Sequence, residues 1–296
     1  MEEFEIISKL GEQKQRKFGE TLLVLEKSSN SKLVMKRAFK REVKPIVWDR
    51  FKFEKSFSFD FPGLPVLVHH SETEDEIRNV FTYHDGISLD QFWGNLKRKE
   101  QLSFLKRLVQ KLVPILNHLE KRNVVHCDLK PSNIIIEGTI DSFNVHLIDF
   151  GISIRKNDLE QRKILFPLGY AAPELLLNQL EIVDARSDLF SLGIIIWKLY
   201  TGELPLRHPN PSIFTNLQLT YPLPNHSSLP KGLFEIVSKM TAKHQFKLPP
   251  NKMNQQEVTR LLKAGMELRY NSIKEVNNAI QNLEERKPFY QRISFR

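Results

Sequence analysis

The chain has 296 residues, 41% of them apolar, enough to bury a large core in one domain or in two lobes sharing a cleft. The formal charge of +9 would suit an acidic partner, but no nucleic-acid-binding motif accompanies it, so a solvated basic face is expected and nucleic acid is not an expected partner. A single cysteine excludes an intrachain disulfide, no apolar run reaches membrane-spanning length, and the acidic N-terminus is unlike a secretory leader, so a soluble, cytoplasmic setting is expected.

In chain order, Leu10-Gly11 and Phe18-Gly19 bracket a basic loop containing Lys14, Arg16 and Lys17. Short β-rich runs at 21–25, 33–35 and 80–83 follow, separated by polar turns such as Ser28-Ser29-Asn30-Ser31, which predicts hairpins. Phe51, Phe53, Phe57, Phe59 and Phe61 keep an even spacing, which suits a strand better than a helix. They would either distort or shorten a helix there, or simply pack beneath a small sheet. After Gly86 the pattern turns helical. Leu102, Leu105, Leu108, Val109, Leu112, Ile115, Leu116 and Leu119 recur at three- and four-residue steps, with Pro114 inside and a bend expected there. Much of the positive excess lies on this stretch, in Lys97-Arg98-Lys99, Lys106-Arg107, Lys111 and Lys121-Arg122.

The helix delivers the chain to His126-Cys127-Asp128-Leu129-Lys130-Pro131-Ser132-Asn133. The apolar run Val145-His146-Leu147-Ile148 then leads to Asp149-Phe150-Gly151. These two stretches bring together a carboxylate, an amine, an amide and a second carboxylate. Phosphoryl transfer uses all four. One carboxylate orients and deprotonates the attacking hydroxyl, and the ammonium offsets phosphoryl charge. The amide and second carboxylate hold metal ions that bridge the phosphates. Taken singly, Asp128 also reads as a turn residue with Lys130 as its surface partner, and Asp149 as a turn cap.

The spacing resembles the catalytic and metal-binding loops of eukaryotic-type Ser/Thr protein kinases, with Cys127 where that family usually has Arg. Other motifs follow in the family's order. Leu10-Gly11 and Phe18-Gly19 look like the ends of the glycine-rich loop over ATP. Leu33-Val34-Met35-Lys36 is similar to the Val-Ala-Ile-Lys strand. Tyr83-His84-Asp85-Gly86 looks like the hinge, with Phe81 as gatekeeper. Ala172-Pro173-Glu174 resembles the end of the activation segment. Asp188-Leu189-Phe190-Ser191-Leu192-Gly193 and Trp197 look like the central helix of the large lobe, and Arg269 like the buried partner of Glu174.

The resemblance implies an α+β, bilobal protein-kinase fold. Residues 1–83 would form a small β-rich N-lobe and 84–296 a larger, mainly helical C-lobe, with the ATP cleft between them. It implies ATP and Mg²⁺ as cofactors and a protein as substrate. Asp128 would be the catalytic base and Lys130 its phosphate-stabilising neighbour, with Asn133 and Asp149 as metal ligands. Gly11, Gly19, Val34, Lys36, Phe81, Tyr83 and Ile135 would surround the nucleotide, the adenine lying between Val34 and Ile135. Glu54, chosen over Glu42, would hold Lys36, and Asp188 would anchor the catalytic-loop backbone.

Three departures from the family pattern bear on mechanism. The glycine-rich loop is long and lacks its middle glycine, which in the family lets backbone approach phosphate closely. Lys14, Arg16 or Lys17 would contact phosphate in its place, or form a solvated basic loop. Cys127 removes the Arg that in many kinases reads a phosphate on the activation segment. Residues 152–168 contain no Thr or Tyr and only Ser153 as a hydroxyl, so activity independent of phosphorylation there is expected. Pro167 stands where Ser/Thr kinases usually place Thr, but Lys130 favours Ser/Thr substrates. Cys127 is expected to be a small buried hydrophobe rather than a redox thiol. A pseudokinase scaffold and a small-molecule phosphotransferase are the other readings. The first is favoured by the altered loop, and the second is opposed by Lys130-Pro131 and Ala172-Pro173-Glu174.

Overall fold

A computed structural model describes residues 3–11, 19–156, 164, 166–246 and 248–284. Lys14, Arg16, Lys17 and Phe18 lie outside the described residues, as does much of the segment between Ser153 and Pro167. The architecture is the expected bilobal one, a β-sheet region followed by a mainly helical one. The first region is a five-stranded antiparallel sheet in the order β1-β2-β3-β5-β4, from β1 (Phe4–Leu10), β2 (Glu20–Glu26), β3 (Ser31–Phe39), β4 (Leu67–Glu72) and β5 (Glu76–Thr82). Its alternating side chains Leu22, Val24, Leu33, Met35 and Val80 are buried together, as period-two strands require.

One helix, α1 (Pro45–Glu54), crosses this sheet. Proline at its first turn suits the start of a helix, where its missing N–H costs nothing. Val47, Trp48 and Phe51 pack on Ala38 of β3 and Ile77 of β5. Asn79, buried on β5, donates its Nδ2 to the Phe51 carbonyl at 2.8 Å and ties the helix end to the sheet. The even spacing of the phenylalanines therefore misreads this stretch. Phe51 and Phe53 are helical, and only beyond Glu54 does the chain extend. Phe57 and Phe59 then enter the core of the larger region, with ring centroids 6.0 and 4.9 Å from that of Phe150. Phe61 stacks on His118 at 4.1 Å.

The larger region begins with β6 (Ile87–Ser88) and α2 (Leu89–Gly94), then α3 (Arg98–Lys121). Helix α3 runs unbroken through the exposed Pro114 and buries the predicted stripe from Leu105 to Leu119, while Leu102 is only half-buried and Phe104, not predicted, is buried. Part of its basic face is engaged rather than solvated. Lys106 donates to the carbonyls of Gln281 (3.1 Å) and Leu283 (2.6 Å), and Arg107 and Lys111 lie over the Phe143 ring. The functional loops follow on β7 (Val124–Val125), β8 (Ile134–Gly138), β9 (Phe143–Leu147) and β10 (Ile154–Arg155). The helices α4 (Pro173–Leu176), α5 (Ala185–Thr201), α6 (Pro211–Thr220), α7 (Lys231–Met240), α8 (Gln255–Glu267) and α9 (Ile273–Gln281) complete it. Helix α5 is apolar on nearly every face and runs through the core, as such helices must. No helix among the described residues is long and apolar enough to cross a membrane.

Candidate active site

A cleft of about 620 Å³ lies between the sheet and the helical region, within the size range of small-molecule sites. Of the predicted residues, Gly11, Val34, Lys36, Glu54, Phe81, Tyr83, Asn133, Ile135 and Asp149 line it. Gly19, Asp128 and Lys130 are not among its lining residues, although Asn133, which lines it, bonds Asp128. A Cβ on Gly19 would fall 2.5 Å from the Phe51 ring and 2.9 Å from the Arg37 carbonyl. At φ +82°, this glycine instead admits α1 against the sheet.

Three neighbouring elements set the charged groups. Lys36 on β3 forms a hydrogen-bonded ion pair with Glu54 at the end of α1, and its Nζ also reaches Asp149 Oδ1 at 3.1 Å. Burial works to lower the Lys36 pKa, but Asp149 and then Glu54 outweigh it and hold the ammonium charged. Burial likewise works against the Asp149 carboxylate, yet Lys36, Arg50 and Lys130 drive its pKa well below the usual range. Asp149 sits at φ +68°, a strained position for a non-glycine residue and one that recurs at functional sites.

Asp128 is 2% exposed. Lys130 Nζ donates to both its oxygens (3.1 and 2.9 Å), and Asn133 Nδ2 donates to its carbonyl (2.9 Å) and to Oδ2 (3.0 Å). Burial, then the charge of Asp149, raises the Asp128 pKa. His126 fixes the loop from beneath. Its Nε2 lies 3.1 Å from the Ile148 carbonyl, and its Nδ1 accepts the Asp128 N–H at 3.2 Å, so the neutral ring carries its proton on Nε2. Burial lowers its pKa to about 4. The buried Asp188 carboxylate accepts the backbone N–H of His126 (2.8 Å) and of Cys127 (2.9 Å), in the anchoring arrangement expected.

Cys127 is 1% exposed, at φ +64°, among Val125, Ile154, Ala171, Ala172 and Phe190. Burial raises its thiol pKa well above normal. Glu174 and Arg269, both fully buried, form a two-pronged pair at 2.7 and 3.0 Å. Ser187 donates to Glu174, and Arg269 also donates to the Ala242 carbonyl, so the pair is well satisfied.

The oxygen donors fit Mg²⁺. Asn133 spends its Nδ2 on Asp128, so its Oδ1, which accepts a long 3.5 Å bond from the Ser132 hydroxyl, is the atom it could offer a metal in the cleft that Asp149 also lines. Among the described residues, no group of three or more His, Cys, Asp or Glu is poised to hold a metal. Two protein oxygens, completed by phosphate and water, match the incomplete protein shell that Mg²⁺ favours.

Arg50 escaped the sequence reading. It stands one helical turn before Glu54, and its Nη2 lies 2.8 Å from both oxygens of Asp149. The four-residue spacing to Glu54 was the available signal, readable only once the stretch is known to be helical.

This fold and constellation define a cleft of the protein-kinase type. A family model for the protein kinase domain matches residues 4–276, and the chain belongs to that family, whose members use ATP and Mg²⁺. It is 26% identical over 207 residues to Serine/threonine-protein kinase PrkC of Bacillus subtilis, covering 67% of this chain and 31% of that one. It is 28% identical over 187 residues to human Serine/threonine-protein kinase D2, covering 62% of this chain and 21% of that one. It is 27% identical over 190 residues to rabbit Serine/threonine-protein kinase 17A, covering 62% and 47%. The matches thus span less than half the length of these relatives.

Proposed function

We propose that this chain transfers the γ-phosphoryl group of ATP to Ser or Thr hydroxyls of a protein substrate. The observation that carries this reading is the buried Asp128 carboxylate, gripped by Lys130 and by Asn133, which lines the same cleft as Asp149. In this reading Asp128 orients the substrate hydroxyl and accepts its proton, and its raised pKa makes it a better base. Lys130 offsets charge on the transferred group. Lys36, braced by Glu54, meets the α- and β-phosphates. Val34 and Ile135 enclose the adenine beside Phe81 and Tyr83, and Gly11 lies over the cleft. Asn133 and Asp149 would hold Mg²⁺, which would supply charge neutralisation for the phosphoryl group.

The Ser/Thr preference is supported by Lys130 and by the names of the relatives, with Pro167 pointing toward tyrosine. Activity without activation-segment phosphorylation is supported by two burials. Cys127 sits in an apolar cluster where a phosphate-reading Arg would stand. Ser153 is fully buried, with its hydroxyl donating to the His126 carbonyl at 2.9 Å. A scaffold without turnover is favoured by one observation, the capture of both Asp149 oxygens by Arg50.

Radiolabelled ATP, Mg²⁺ and a generic protein substrate separate these readings. The proposal expects phosphoserine and phosphothreonine on acid hydrolysis, and no label would favour the scaffold. Mass spectrometry of the active protein should find no phosphate on residues 152–168, and Ser153→Ala should stay active. Phosphate there, with activity lost in that variant, would overturn the phosphorylation-independent reading.

A further inference from the structure

Arg50 has no part in the chemistry above, yet it stands at its centre. Its Nη2 lies 2.8 Å from each oxygen of Asp149 and 3.8 Å from Asp128 Oδ2. One guanidinium therefore occupies the place on Asp149 that a bound cation would take. Its stem lies against Gly151, where a Cβ would fall 2.4 Å from Arg50 Nε and 2.7 Å from its Cγ. The glycine leaves room for this seat.

The charges of the cluster balance. Glu54, Asp128 and Asp149 face Lys36, Arg50 and Lys130. A free dication approaching it meets no surplus negative charge. It also meets a carboxylate already bonded on both oxygens by Arg50 and on one by Lys36. Removing Arg50 would leave one net negative charge and a freed pair of carboxylate oxygens, both of which attract a divalent ion.

We propose that Arg50 is the resting counter-cation of Asp149 and competes with the divalent metal for it, so that metal loads together with the nucleotide rather than before it. The phosphates supply the negative charge that the balanced cluster lacks, and Arg50 releases Asp149 as the metal arrives. The inference rests on the proposed role of Asp149 as a metal ligand.

Electron paramagnetic resonance titration of Mn²⁺ tests it, with and without a non-hydrolysable ATP analogue. Without nucleotide, Arg50→Gln is expected to bind Mn²⁺ at least fivefold more tightly than wild type. Lys52→Gln, which removes the same charge from the exposed side of α1, is expected to match wild type. Equal affinity of wild type and Arg50→Gln overturns the proposal. Equal tightening in Lys52→Gln also overturns it, because bulk charge then explains the effect. Arg50→Met serves the same comparison if the glutamine variant does not fold. With the analogue present, wild type must bind Mn²⁺ more tightly than Asp149→Ala. If it does not, the metal role of Asp149 itself fails, a result distinct from equal affinity at Arg50.

Discussion

Lys36 shows how much one side chain's neighbours decide. On a bare strand it would be a surface lysine, but Glu54 and Asp149 converge on its ammonium and hold it charged inside the cleft. Replacing Lys36 with Met should weaken ATP binding roughly 10- to 100-fold, the scale of a charge-assisted contact, as read by calorimetry. His126 makes the matching point for protons. Its folded pKa of about 4 lies below the ordinary value of 6.5, so between those values the unfolded chain binds the extra proton. Its contribution to stability is therefore present above pH 6.5 and lost as pH falls toward 4. His126→Gln should flatten the slope of stability against pH in that window by up to about 1.4 kcal/mol per unit. The opposite sign, or no change in slope in denaturant titrations, would contradict this. Lys36, Asp128, Lys130, Asn133 and Asp149 were legible in the sequence because each sits at a fixed offset in a short motif. Arg50 was not, because its role depends on a helix face.

That helix is where element-scale reading failed. The phenylalanine spacing around Glu54 mixes one helical turn with an extended tail, and the two serve different cores. Phe51 packs under the sheet, while Phe57 and Phe59 meet Phe150 in the larger region. Periodicity assumes one element with one buried face, and here the element changes at Glu54. Helix α3 met that assumption, and its stripe was read correctly from Leu105 onward. The sequence reading placed Asp188 on the central helix as an anchor of the catalytic loop, and two backbone N–H groups, one from the strained Cys127, do end on its carboxylate. Asp188→Asn turns an amide nitrogen toward one of those donors. It should cost about 1–3 kcal/mol of stability by urea titration, the scale of one buried donor left unpaired. A loss below a few tenths would show that the loop is held by other contacts.

At the scale of the whole molecule, distant stretches of chain are joined by buried polar pairs rather than by core alone. Glu174 and Arg269 are 95 residues apart, and the pair links the segment after the cleft to the C-terminal helices. Removing one partner strands a buried charge, so Arg269→Leu should destabilise by about 3–5 kcal/mol, and the double variant with Glu174→Leu should recover part of that loss. Thermal unfolding of the two variants compares them directly, and equal stability would deny the pair its structural role. The order of motifs made the bilobal fold legible, but the long basic loop before Gly19 offered no comparable pattern. In the proposed mechanism Asp128 is the base of a phosphotransfer site assembled between the two regions. That role is tested most directly by single-turnover transfer from ATP to protein with Asp128→Asn beside wild type, ATP affinity being measured on both. ATP affinity should stay unchanged within about threefold while the rate falls roughly 10²- to 10⁴-fold. Transfer at the wild-type rate in the variant would contradict it.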